Sequence, residues 1–159
     1  MELANAKNAP SGEDMLRRPT GLTTTALLMF LTAAGTLVFW INFVNDVGAQ
    51  RQSYLASRCE SWFTWERSFP LADAWIVATA MAGAVGLWYM RESGLLFGLV
   101  GGGAMVFLGL ADALFFLQND LYRPLTSEVA IELFIHAWMI GFGLAAIASI
   151  WRHRALIRR

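Results

Sequence analysis

Residues 95–122, LLFGLVGGGAMVFLGLADALFFLQNDLY, decide how this chain is read. From 94 to 117 the only ionisable residue is Asp112, and an uninterrupted helix of that length covers roughly 36 Å at 1.5 Å per residue. A bilayer's hydrocarbon core needs about 20 apolar residues, so the stretch predicts a transmembrane helix. Three further runs of similar length and character lie at 22–44, 70–90 and 129–151. Between them fall short stretches that hold nearly all the charge. The expectation is an all-α polytopic membrane protein built as a four-transmembrane-helix up-down bundle, its transmembrane domain spanning 22–151.

Composition agrees. Hydrophobic residues make up 57% of the 159 and charged residues 15%, against about 25% charged in ordinary soluble domains. Twelve basic and twelve acidic residues leave no net charge, so no nucleic-acid partner is expected. The single cysteine, Cys59, excludes an intrachain disulfide, a CxxC redox pair and a thiolate zinc cluster. The apolar run at 22–44 exceeds the 7–15 residues of a signal-peptide core, so it reads as a retained span.

Charge asymmetry orients the bundle. Lys7, Arg17, Arg18, Arg91, Arg152, Arg154, Arg158 and Arg159 would share one side, and Arg51, Arg58, Arg67 and Arg123 the other. The positive-inside rule then places both termini in the cytoplasm; a bacterial inner membrane is the expected location. Residues 1–21 read as a flexible cytoplasmic tail and 152–159 as a basic one. The connection 45–69 would lie outside, and its aromatic residues predict a short helix on the membrane surface or over the bundle mouth.

Helices in lipid associate through small residues that let backbones approach. Ala74, Ala78, Ala82 and Gly86 form one four-residue series, Gly94, Gly98 and Gly102 another, and Ala137, Gly141, Ala145 and Ser149 a third. These glycine and alanine ribbons are expected to pack the bundle. They are also the expected route to a homo-oligomer or a larger membrane complex, with membrane lipids as the other partners.

Helical periodicity puts Asp112 on the face of Gly94, Gly98, Gly101 and Met105, pointing into the bundle. Glu132 and His136 are four apart and share a face. Together with Asp73, Asn42 and Asn119 they fall in the outer half of the membrane, while the inner halves carry no ionisable residue. An outward-facing polar pocket follows, with Trp62 and Trp65 as its lid. Asp73 has a plain alternative, since an acid in a helix's first turn complements the macrodipole. Asn42 has one too, as a helix cross-link, and the acid–histidine pair could be a structural network between helices.

An intramembrane Asp–Glu–His set suits a proton relay or acid–base chemistry on a lipid-like substrate, or the polar end of a site for a quinone, isoprenoid or lipid. Binding of a lipophilic small molecule is the first expectation, and whether such a ligand is also converted stays open. A non-catalytic accessory subunit is the alternative, with a lipid-modifying enzyme or transporter behind it. One histidine in the spans and no Glu-x-x-His pair in the second or third span argue against a metal site. No catalytic residue and no cofactor is assigned by the sequence.

The segments ERSFPLADAW (66–75) and 95–122, together with the acid of the last span, resemble small bacterial four-span integral membrane proteins of uncharacterised activity. In those, FPLAD opens one span, and a glycine-rich span ends in an Asp followed by Asn or Gln and a Tyr. The resemblance covers about a third of the chain. It implies the fold and a shared site at Asp73, Asp112 and Asn119, and no activity.

Overall fold

A computed structural model describes residues 19–57 and 60–157. The tail residues 1–18, Arg58, Cys59, Arg158 and Arg159, on which part of the orientation and cysteine reading rests, lie outside the described residues. Seven helices follow one another: α1 Thr20–Asn45, α2 Val47–Ser57, α3 Glu60–Glu66, α4 Pro70–Trp88, α5 Glu92–Gln118, α6 Ser127–Arg152 and α7 Arg154–Ile157. No strand occurs among the described residues. Of these helices α1, α4, α5 and α6 are long and apolar enough to cross a membrane.

Helix ends follow local chemistry. Pro70 stands at the start of α4, where its missing N–H costs nothing. Thr126 caps α6 by accepting from the Val129 N–H at 3.4 Å. Both α4 and α5 close with a left-handed residue that is not glycine, Met90 and Asp120, each at φ 53°. Beyond Met90 the Arg91 N–H returns to the Gly86 carbonyl at 2.8 Å, and beyond Asp120 the Leu121 N–H returns to Phe116 at 2.9 Å. These paired bonds satisfy the last carbonyls of each helix and turn the chain sharply.

The α4–α5 hairpin packs backbone to backbone. A methyl built on Gly83 would lie 2.8 Å from the Gly98 nitrogen, and one on Gly86 would collide with the Gly94 backbone. On its other side α5 meets α6 in the same way, since a methyl on Gly143 would lie 2.8 Å from the Gly102 carbonyl oxygen. α1 lies along α4 and meets α6 far less extensively. Bonds from side chains join α1 to α6: Thr25 to Ser149 at 3.0 Å, the Trp138 indole to Thr32 at 3.1 Å, and the Ser149 hydroxyl to the Gly21 carbonyl at 3.5 Å. A core of Leu22, Met29, Ile76, Leu87, Met105 and Ile150 fills the interior.

Two of the three expected ribbons face the bundle only in part. Ala74 and Ala78 are exposed, and so are Ala137, Gly141 and Ala145, while Ala82 and Ser149 are half-buried. The buried face of α4 runs through Asp73, Ile76, Ala80, Gly83, Ala84, Gly86 and Leu87, so Gly86 is the ribbon member that packs. That of α6 runs through His136, Met139, Gly143, Ala146 and Ile150. Small residues occur on two faces of both helices, so four-residue spacing alone did not single out the packed one.

Candidate functional site

At the end of the bundle where α1 finishes and α4 begins, the polar residues of four helices meet. A cavity of about 360 Å³ is lined by Glu66 of α3, Asp73 of α4, Asp112 of α5, and Glu132 and His136 of α6. Its remaining wall is largely apolar, with Leu31, Phe39, Leu108, Phe116, Ile135 and Met139 among the contributors. Thr32, Gly35 and Thr36 line the α1 side. Every exposed residue of the lining, namely Leu31, Gly35, Phe39 and Ile135, belongs to α1 or α6. The cavity therefore opens sideways, through the slot where those two helices separate.

Each acid is held by a different device. Asp73 is 7% exposed, and its Oδ2 accepts the Trp40 indole N–H at 2.7 Å, tying α4 to α1. Its Oδ1 is buried with no hydrogen-bond partner. The macrodipole alone would not call for that cross-helix contact, since an acid serving it can sit in solvent. Asp112 accepts the Trp65 indole N–H at 3.0 Å, and Trp65 stacks on Phe115 with ring centroids 4.3 Å apart. α3 is thereby fastened over the end of α5.

His136 is 4% exposed. Its Nδ1 lies 2.8 Å from the Tyr122 hydroxyl, and its Nε2 lies 3.9 Å from Glu132 Oε2. With the ring neutral and its proton on Nε2, the tyrosine donates to Nδ1 and the imidazole N–H faces the carboxylate. Phe116 packs edge-on against this ring at 4.7 Å and against Trp62 at 5.3 Å. Burial, with Asp112 and Glu132 nearby, pushes the Tyr122 hydroxyl above its ordinary range.

Glu66 is the member that the sequence did not disclose. It ends α3, in the connection 45–69 that the sequence places outside the spans. Burial is the main reason its carboxyl is pushed up to about 8, and repulsion from Glu132, Asp112 and Asp73 adds to it, while the Trp62 indole acts in the opposite direction. Its link to the site comes from the presence of two helices, α2 and α3, in this connection rather than the single short one expected. The two α1 threonines and Gly35 were missed as well, although Thr32 and Thr36 are four apart on one helix face and Trp40 is one turn further on.

Asn42 and Asn119 are not in the cavity. Asn42 is exposed, because the face of α1 that turns inward there is the one bearing Trp40 and Phe43. Asn119 is also exposed and donates to the Phe115 carbonyl of its own helix at 2.8 Å, closing the end of α5. Trp62 and Trp65 stand over the bundle end, and Trp65 takes part in the site through Asp112 rather than through the cavity wall.

Among the described residues no three His, Cys, Asp or Glu side chains converge on a point that a metal ion could occupy. Two larger hollows, about 600 and 950 Å³, lie along the outside of α4 and α5, and a third, about 490 Å³, lies between α2 and α3; none is lined by an acid or histidine. Comparison with protein-family models, curated proteins and solved structures returned no match.

Proposed function

We propose that this chain is an integral membrane protein that binds a lipophilic small molecule, such as a quinone, isoprenoid or lipid, in the cavity between α1 and α6. One observation carries the reading: four acids and a histidine, from four separate helices, line one end of a cavity whose other walls are apolar. Its volume of about 360 Å³ falls within the range of small-molecule sites. Ionisable groups inside a membrane-spanning region cost several kcal/mol and are otherwise rare. Asp112, Glu132, His136 and Asp73 would hold the ligand's polar end, and Phe39, Ile135 and Met139 its apolar body.

The protein belongs, in this reading, to a bacterial inner membrane, with both termini cytoplasmic and the acid-lined end outward. Arg91, Arg152 and Arg154 at the opposite end of the bundle support that orientation.

Native mass spectrometry of the detergent-extracted protein tests the binding reading. A retained small molecule is expected on the wild type, with occupancy reduced in Asp112→Asn and His136→Ala and abolished in Gly35→Leu, which fills the slot. Gly35 has open space around it, so a leucine there leaves the helix packing intact. A wild type that carries no more than the annular lipid of Gly35→Leu refutes the reading.

A second reading, an accessory subunit or homo-oligomer, is favoured by the exposed small face of α6. Ala137, Gly141 and Ala145 lie along it, and a methyl added to Gly141 would touch nothing in this chain. Leucine at Gly141 would disrupt such an assembly and leave the cavity unaffected.

A further inference from the structure

The cavity's charge narrows the class of ligand. Glu66, Asp73, Asp112 and Glu132 line it, His136 is the one basic residue there, and no lysine or arginine contributes to the wall. A quinone or an alcohol would accept or donate hydrogen bonds yet leave the mutual repulsion of the acids in place. A cation would relieve it.

Asp73 supplies an independent sign of a missing positive partner. The side chain lines the cavity, is 7% exposed, and keeps Oδ1 without a hydrogen bond while Oδ2 is bonded to Trp40. Burying a carboxylate oxygen with nothing to bond is costly, and the cost is recovered when a donor or cation arrives. A small inorganic cation does not suit the arrangement, since no three of these groups converge at ligating distance. A larger and softer head, touching the acids without dehydrating fully, fits better. Phe39, Phe116 and Trp138 in the wall add aromatic rings of the kind that attract such heads. The sideways opening suits a tail that stays in lipid.

We propose that the occupant is a lipophilic cation, an amine or quaternary ammonium carried on an alkyl or similarly apolar body. Its head sits among Glu66, Asp73, Asp112 and Glu132, and its body leaves between α1 and α6. The proposal rests on the cavity being a ligand site and adds the sign of the ligand's charge.

Two probes with the same tail separate the two claims. Binding of dodecyltrimethylammonium and of dodecanol is measured on the full chain in nanodiscs of zwitterionic phosphatidylcholine, with empty nanodiscs as the background. Saturable binding of one ammonium per chain is expected, with dodecanol at least about tenfold weaker, the factor that about 1.4 kcal/mol of charge pairing gives. At pH 9, where the Glu66 carboxyl that is pushed up to about 8 is ionised, Asp73→Asn and Glu66→Gln should each weaken the ammonium roughly tenfold and dodecanol far less. Asparagine at 73 still offers Trp40 an oxygen, and Glu66 lies outside the spans, so at least the second variant keeps the fold. Equal affinity for both probes, or an ammonium affinity indifferent to Glu66→Gln, overturns the cation proposal while the cavity remains a ligand site. No saturable binding of either probe, with Gly35→Leu indistinguishable from wild type, overturns both.

Discussion

The Glu66 carboxyl makes the acid cluster visible to a stability measurement, and Glu66→Gln is the perturbation that reads it. Below pH 4.5 the group is protonated whether the protein is folded or unfolded. Between 4.5 and about 8 the folded protein keeps a proton that the unfolded chain has released. The stability attached to that proton is therefore complete at low pH and is lost as pH rises through about 8. At about 1.4 kcal/mol per pH unit, the interval corresponds to an upper bound of about 5 kcal/mol. Glu66 is half-buried rather than sealed, and solvent screening reduces the effect to about 2 kcal/mol. For a chain of this size that is a Tm difference of roughly 5 °C. Thermal unfolding in a neutral detergent, without added cation, should show wild type losing about 5 °C more than Glu66→Gln between pH 5 and pH 9. Asp73, Asp112, Glu132 and His136 line the cavity with Glu66 from α4, α5 and α6, whereas the polar side chains that α1 contributes to it are Thr32 and Thr36, neither of them ionisable. Those groups are present in both proteins, so the difference between the curves reports position 66 together with its repulsion by them. Parallel curves would refute the placement of Glu66 among the other acids.

Packing and capping give further tests. Gly94→Ala places a methyl against the Gly86 and Leu87 backbone and should cost about 2 kcal/mol or more in thermal stability, whereas Gly103→Ala meets nothing and should be neutral or slightly favourable. Asp120→Gly removes the left-handed penalty at φ 53° and should raise stability by about 0.5–1 kcal/mol in the same assay. Trp138→Phe deletes the bond to Thr32 while keeping an aromatic ring against Phe142, and a loss of about 0.6 kcal/mol is expected, typical of hydrogen bonds between helices in lipid.

The spans were legible because charge interrupts the apolar runs at almost every helix end, and the observed bounds differ from the expected ones by a few residues. Periodicity also carried part of the site. Asp112 lies on the glycine face of α5, and Glu132 and His136 lie one turn apart on α6, but which faces of the two helices line one cavity is set by packing that single-helix periodicity does not report. Three features were beyond that reasoning. Glu66 reaches the cavity because α3 is fastened over the end of α5 through Trp65, and nothing periodic in a loop reports such a contact. The packed faces of α4 and α6 were ambiguous because alanine and glycine occur on opposite sides of each. The left-handed turns at Met90 and Asp120 carry no glycine to announce them.

The slot between α1 and α6 has a consequence for how occupancy must be counted. A molecule that enters from the side arrives from the hydrocarbon phase, so what fixes occupancy is its mole fraction among the lipids rather than its concentration in the buffer. Doubling the lipid or detergent at constant protein and ligand would then lower occupancy as surely as halving the ligand. An affinity quoted per litre of solution would change with every preparation, and one quoted per lipid would not.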